Sequence, residues 1–481
     1  MNKKNLYFLL LFAALFLSIT LSGQHVFAEE ATSLTPQITC SNGVTADEMT
    51  NSYYTVATFN QGDSITLVCD QPIAGLYICW NNKIISTWSV LFPDGSSQEC
   101  GQEGYLHEYV ALDQPSDSIT LQIEQNGTQI MKLFCLSQGD LPDWVQQWDA
   151  PCSQADILLL STHADDEQIF FGGILPYYAG ELDLQVQVIY YTNYWNGSNI
   201  REHEKLDGLW TVGVHHYPVN GDFDDIYATS LEEAKSVYDY DATVDFVVTQ
   251  IRRFKPLVLV GQDLNGEYGH GGHMITAAAI CDAVEISMNE EVSPESAALY
   301  GCYEVPKTYL HLYPENEINL DCQRTLSKFD GKTVLDVAKE GYLQHQSQQW
   351  CWFYVSDDYK YSCAKYGLYR TTVGTDTKND LLEHVTSYEE QARIEAEIEA
   401  SKEAEEASIQ ASMEASEDES RSIEESSLAQ AEASRLQKKE ITAKIFKVIG
   451  IALGLLLLLF IILLLYKIHS RKKKRHKKRD I

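Results

Sequence analysis

The chain has 481 residues, enough for two or more domains, of which 44% are hydrophobic and 22% charged. Its formal charge of −33 rules against nucleic-acid binding, which needs a cationic footprint. The balance is uneven: residues 467–481 hold nine Lys/Arg against one Asp, about +8, leaving about −41 for the rest.

The N-terminus begins with Lys3 and Lys4, then an apolar run from Leu6 to Leu21, and closes on Val26-Phe-Ala28 with small residues where a signal peptidase reads. Residues 1–28 are therefore expected to be a secretory signal peptide. Eleven cysteines between Cys40 and Cys363 fall on the exported side without a Cys-x-x-Cys pair. That pattern predicts disulfides, with Cys351–Cys363 and Cys79–Cys100 as candidates. The count is odd, and Cys281, in an Ala-rich helical stretch, is expected to be the unpaired thiol.

Residues 29–141 alternate apolar and polar positions in short runs: Ser64–Val68, Leu76–Ile78 and Ser118–Ile123. Turn pairs stand at Asp94-Gly95 and Asn126-Gly127. An all-β sandwich is expected. Its Trp80 and Trp88 are either core residues or a face for sugar rings.

A bridge, Leu141–Trp148, leads to a second domain over 150–386. Apolar runs at Asp156–Ser161, Leu184–Tyr191, Pro256–Gln262 and Lys307–Tyr313 read as buried strands, and 199–212 and 231–253 as the helices between them. Such alternation predicts an α/β fold with a Rossmann-like, mostly parallel sheet and flanking helices. Ligands in these sheets lie beyond the carboxyl ends of the strands.

From 388 to 440 the chain is mostly Glu, Ala and Ser, a composition that favours a solvated helical or partly disordered stalk. Ile394, Ile398, Ile409 and Met413 do not hold a sustained heptad, so a coiled coil is permitted and not required. If helical, about fifty such residues would span roughly 75 Å. A transmembrane helix is expected at 445–466, where Val448–Tyr466 carries no charge. The basic tail, 467–481, then stays cytoplasmic and meets anionic lipid. The expectation is a single-pass cell-membrane protein with an extracellular ectodomain, of the kind found on a Gram-positive surface. No pattern sets an oligomeric state.

Two polar clusters follow predicted strands. The first is Ser161-Thr-His163-Ala-Asp165-Asp166-Glu167, followed by Gly172-Gly173. The second is His270-Gly-Gly-His273, opening the Ala-rich stretch Ile275–Val284. Charged groups at a buried strand end must be solvated, paired or bound to a metal. An Asp-Asp pair alone is an ordinary turn or helix cap, and a lone His-x-x-His is equally ordinary. Together, at strand ends of one α/β domain, they outline an open zinc site with a spare carboxylate for proton transfer.

Those residues resemble the PIG-L/LmbE-like zinc de-N-acetylases over about 155–384. The family's Ala-His-Pro-Asp-Asp-Glu reads Thr162-His163-Ala164-Asp165-Asp166-Glu167 here, and its later His-x-x-His-type element reads His270–His273. Arg201-x-x-Glu204 is similar to the family's Arg/Glu helix, and Lys339–Gln348 to its closing helix. The resemblance implies Zn2+ on His163, Asp166 and His273, with Asp165 as general base. It implies His270 facing the oxyanion or protonating the leaving amine, and Arg201 binding substrate. A salt bridge to Glu204 is the competing reading of Arg201.

The family often has an Asp before the final His, a partner that would orient His270. Its absence here leaves Asp263, Glu267 or Glu167 to take that place. The implied activity is removal of acetyl from an N-acetylated glycan. The alternatives are a non-catalytic glycan-binding surface protein, zinc hydrolysis of another amide or ester, and a purely structural zinc.

Overall fold

Alternating burial marks the N-terminal strands, as in the buried-every-second-residue pattern of Ser64–Cys69. The structure, a computed structural model, describes residues 29–49 and 55–476. The expected signal peptide and the end of the basic tail lie outside them. The strands are β1 (Ser33–Leu34), β2 (Gln37–Cys40), β3 (Ala57–Phe59), β4 (Ser64–Trp80), β5 (Trp88–Leu91), β6 (Ser97–Cys100), β7 (His107–Gln122) and β8 (Thr128–Leu136). Among the described residues they form one hydrogen-bonded antiparallel network, ordered β1-β8-β4-β7-β5-β6, with β2 on β4 and β3 on β8.

The runs expected as two strands, Ser64–Val68 and Leu76–Ile78, are one strand. Register shifts between Val68 and Gly75 carry it past Pro72, which lacks a ladder donor. Trp80 and Trp88 are buried, and both indole N–H groups donate to Glu108 Oε2, at 2.9 and 3.1 Å. Their faces belong to the core and are closed to sugar.

The expected disulfides are not present: all eleven cysteines are unbonded. Cys79 packs with Tyr77 and Val145, while Cys100 packs with Trp88 in the main core. Tyr77 and Cys79 face one side of β4, and Ile78 and Trp80 the other, so Cys79 and Cys100 cannot meet. Cys363 is buried beside Cys322, not Cys351.

The second sheet holds β9 (Ile157–Ser161), β10 (Val186–Asn193), β11 (Val219–Asp224), β12 (Val258–Gly261), β13 (Lys307–His311), β14 (Glu317–Asn319) and β15 (Lys365–Thr371). Their order is β11-β10-β9-β12-β13-β15-β14. The first five are mutually parallel, and β15 and β14 add an antiparallel edge. β9, β10 and β12 are buried along their whole length, as continuous apolar runs covered on both faces must be.

Alternate residues serve different cores. Ile157, Leu159, Val258 and Val260 join one, and Leu158, Leu160 and Leu259 the other. The first is covered by α2 (Ile200–Thr211) and α7 (Val334–Leu343), the second by α4 (Tyr240–Phe254) and α5 (Gly271–Ile286). Shorter helices in the same part of the chain are α1 (Asp166–Ile169), α3 (Leu231–Val237) and α6 (Pro294–Tyr300).

The helix expected over 231–253 is two helices, α3 and α4. Tyr238 is extended between them, its hydroxyl accepting from Ile226 N at 2.7 Å, and Asp239 caps α4 by accepting from Ala242 N at 3.1 Å. Gly173 lies so close to the chain that an added Cβ would stand 2.4 Å from Cys363 O, which explains a glycine after the first cluster.

Described residues up to Gln391 pack as one compact unit and those from Ala392 as another. Within the first, the N-terminal sheet joins the α/β part through buried polar groups. His107 Nδ1 lies 2.7 Å from Gln146 Oε1, and His107 Nε2 lies 2.9 Å from His203 Nδ1. A carboxamide oxygen only accepts, so His107 carries its proton on Nδ1 and His203 donates to its Nε2.

Burial holds both imidazoles below the ordinary histidine range. Asp207 opposes this at His107, while Lys132 reinforces it at both rings and Lys205 at His203. Below about pH 6.5 the unfolded chain takes up protons that these rings refuse, so stability falls with pH there. Between pH 7 and 5 this pair's contribution to the melting temperature is expected to fall, so wild type should lose stability on acidification relative to His203→Gln. Equal losses in the two proteins would mean the pair does not carry the effect.

The last helix, α8 (Tyr388–His476), begins with Tyr388, whose N–H donates to Asp156 Oδ1 at 2.7 Å. Among the described residues it is the one helix long and apolar enough to cross a membrane. Ile394, Ile398, Ile409 and Met413 are exposed on it.

Candidate active site

β9 and β12 are neighbouring parallel strands, and the chain leaves them in opposite directions: β10 and β11 on one side, β13 on the other. The sheet edge beyond their carboxyl ends is the switch point at which such sheets bind ligands. Both polar clusters fall there. Thr162, just past β9, is tied to the residue just past β12: its N–H donates to Gln262 Oε1 at 3.2 Å. Its hydroxyl also donates to that oxygen and lies 2.8 Å from Thr276 Oγ1 on α5.

His163, Asp165, Asp166 and His273 are all buried. Asp166 Oδ2 lies 3.1 Å from His163 Nδ1 and 3.2 Å from His273 Nε2, and the two ring nitrogens are 3.0 Å apart. Asp166 Oδ2 also accepts from His163 N at 2.8 Å and from Gln262 Nε2 at 3.0 Å. Ligands about 2.0–2.1 Å from one tetrahedral zinc stand roughly 3.3 Å apart, so this N, N, O triangle fits such an ion. Ligating atoms of His163, His270 and His273 also all lie within 4.8 Å of one another. His270 Nδ1 accepts from Gly272 N at 3.1 Å, which puts its proton on Nε2.

Asp165 sits at φ 128°, outside the usual range for an L-residue. One of its oxygens lies 3.2 Å from Arg201 Nη2. Arg201 also donates to Ala164 O, lies 3.6 Å from Asp225 and covers the Tyr194 ring at 4.3 Å. It does not pair with Glu204, which instead accepts from Ser347 N and Oγ at 2.7 and 2.6 Å.

The charges are strongly coupled. Burial works against charge on His163, yet Asp225 and Asp166 outweigh it and push the ring up to about 9. His273 likewise rises to about 10 beside Asp166 and Glu267, against its burial. Asp166 is held well below the carboxylate range by His273 and His163 although burial opposes this. The pocket therefore demands positive charge between these groups, a demand a divalent cation also meets. Burial raises Asp165 to about 6, with Arg201 restraining the rise. Burial, with His163 and His273, lowers His270 to about 3.

The sequence named three of the surrounding carboxylates but not which group each serves, and it missed Asp225 and His311. Glu267 lies 2.7 Å from His273 Nδ1 through one oxygen and 2.6 Å from His311 Nδ1 through the other. His311 is anchored in turn on Ser362 O at 2.9 Å. Asp225 Oδ1 lies 3.4 Å from His163 Nε2. Glu167 lies 2.6 Å from His345 Nε2 and accepts from Asp165 N at 2.7 Å. Asp263 accepts from Asn265 N at 3.0 Å. None of the three carboxylates considered as partners of His270 serves it; the one that orients a cluster histidine is Glu267, and it orients His273.

No family model matches the chain. Over 201 residues it is 23% identical to 1D-myo-inositol 2-acetamido-2-deoxy-alpha-D-glucopyranoside deacetylase 1 of Catenulispora acidiphila, covering 35% of this chain and 58% of that protein. The chain thus spans less than two thirds of that relative's length. Similar solved structures include N,N'-diacetylchitobiose deacetylase from Pyrococcus horikoshii, at 15% identity and TM-score 0.32, covering 41% of this chain and 72% of that one. A deacetylase solved in complex with teicoplanin matches at 16% identity and TM-score 0.28, covering 40% and 87%. The α/β part of the chain resembles the PIG-L/LmbE-like de-N-acetylases.

Proposed function

We propose that the protein is a cell-surface, zinc-dependent hydrolase that removes acetyl from N-acetylated amino sugars of a glycan. The observation that carries this reading is the triangle of His163 Nδ1, Asp166 Oδ2 and His273 Nε2, 3.0–3.2 Å on a side, with Asp165 adjoining it. These three residues would hold the metal. A zinc ion bound there supplies Lewis acidity toward water and the amide carbonyl.

The chain's own residues do the rest. Asp165 takes the proton of the attacking water as its oxygen bonds to the carbonyl carbon, and returns it to nitrogen as the C–N bond breaks. Acetate and a free amine result. Arg201 keeps Asp165 ionised and in place. His270, with its proton on Nε2, donates a hydrogen bond to the oxyanion. Glu267 fixes the tautomer of His273, and Asp225 offers a carboxylate to sugar hydroxyls or to Arg201.

In the layout that goes with this reading, a β-sandwich domain (29–141) precedes the Rossmann-like catalytic domain (150–386). The stalk (388–440) leads to a membrane anchor (445–466), with 467–481 on the cytoplasmic side. The test is to purify the full-length chain in detergent, quantify its zinc and measure acetate release from N-acetylglucosamine oligomers. Zinc near one per chain with acetate release is the expected result. Zinc without release would move the reading to another acyl substrate, and no zinc would sink the site.

A further inference from the structure

The segment after α7 is dense in aromatic residues that face water. Trp350 is 82% exposed, Trp352 64% and Tyr354 49%. Indoles that open to solvent add nothing to a core, and clustered exposed apolar surface marks a binding face.

The segment is continuous with the active site. Phe353 stacks on Tyr268 at 4.5 Å and 17°, while Trp352 meets Tyr268 edge-on at 5.5 Å. The Tyr268 ring lies 5.9 Å from that of His273. Two ring-to-ring steps therefore lead from a candidate metal ligand to a water-facing indole. Tyr268 is held at φ 48°, a left-handed conformation that an L-residue adopts only when its surroundings impose it. Its place is thus fixed between His273 and the aromatic segment. On the His270 side, Tyr227 is 72% exposed and meets the His270 ring edge-on at 5.3 Å.

One N-acetylated sugar would be handled by the cluster around His163, Asp165, Asp225 and His270. Rings running outward from that centre have a use only if the substrate continues outward too. The apolar face of a sugar packs well on an indole, and the nearby Asp357, Asp358 and Lys360 give no cationic patch for an anionic lipid.

We propose that Trp352, carried on Phe353 and Tyr268, is a platform for sugar units adjoining the one that is deacetylated, so that the substrate is an oligo- or polysaccharide. This rests on the de-N-acetylase reading above.

The test compares acetate release from N-acetylglucosamine and from its β-1,4-linked tetramer by the full-length chain in detergent. Wild type, Trp352→Ala and Trp352→Phe are run together. The expected result is a kcat/KM about tenfold or more higher for the tetramer, lost in Trp352→Ala and largely restored in Trp352→Phe. The loss should fall on KM with kcat unchanged, and the monomer should be indifferent to the variant. Equal rates on both substrates, or a tetramer preference untouched by Trp352→Ala, would overturn the platform and leave deacetylation standing. If neither substrate releases acetate, tetramer binding by calorimetry decides. Binding weakened by Trp352→Ala upholds the platform while the reaction falls, and no binding overturns both.

Discussion

Asp165→Asn is expected to keep zinc near one per chain while lowering acetate release by about 10²–10⁴-fold, the usual worth of a positioned general base. Asparagine matches the shape of aspartate and still offers an oxygen to Arg201, 3.2 Å away in the native site. It cannot take a proton. Burial raises the native carboxyl above the ordinary aspartate range against the pull of Arg201, which makes it a stronger base than an exposed aspartate. Such a group is matched to the task. Zinc content and acetate release from one preparation check the prediction. Full activity would place the base elsewhere, and loss of zinc would make Asp165 a ligand.

The second large effect is expected from Asp166→Ala: zinc lost on desalting, and acetate release at background. Asp166 Oδ2 is the common acceptor for His163 Nδ1, His273 Nε2, Gln262 Nε2 and the His163 N–H. Its removal leaves two imidazoles 3.0 Å apart with no charge between them. Breaking one side of a buried charged pair costs about 3–5 kcal/mol, so the melting temperature should fall as well. A variant that holds zinc as wild type does would shift the metal to the three imidazoles of His163, His270 and His273. Metal analysis and a thermal melt on the same sample separate loss of metal from loss of fold.

What was legible depended on how local the signal was. Ile157–Leu160 is a continuous apolar run and Val188–Tyr191 another, and burial on both faces follows from that pattern, whereas the burial of Gln187, Thr192 and Asn193 does not. The two motifs were equally plain because each is contiguous, one ending β9 and the other opening α5. β11, with the sequence Val-Asn-Gly-Asp-Phe-Asp, has no apolar run to announce it and is held by its pairing with β10.

The supporting carboxylates are illegible for a related reason. Glu267 is defined by His273 six residues on and His311 forty-four residues on. Asp225 is one of several acids in its loop and is distinguished only by the fold bringing it to His163 and Arg201. The cysteines misled because eleven of them behind an expected signal peptide imply disulfides by composition, whereas pairing needs two side chains on one face. Cys79 and Cys100 are on different ones.

The backbone at Asp165 and Tyr268, φ 128° and 48°, sets a limit on how this protein can be improved. A redesign guided by stability would choose glycine first at both positions, relieving strain on the order of 1 kcal/mol or more at each. Those two changes would erase the proposed base and the ring that links His273 to Trp352. Thermal robustness and turnover thus compete for the same two residues, and an engineer must find stability elsewhere in the chain.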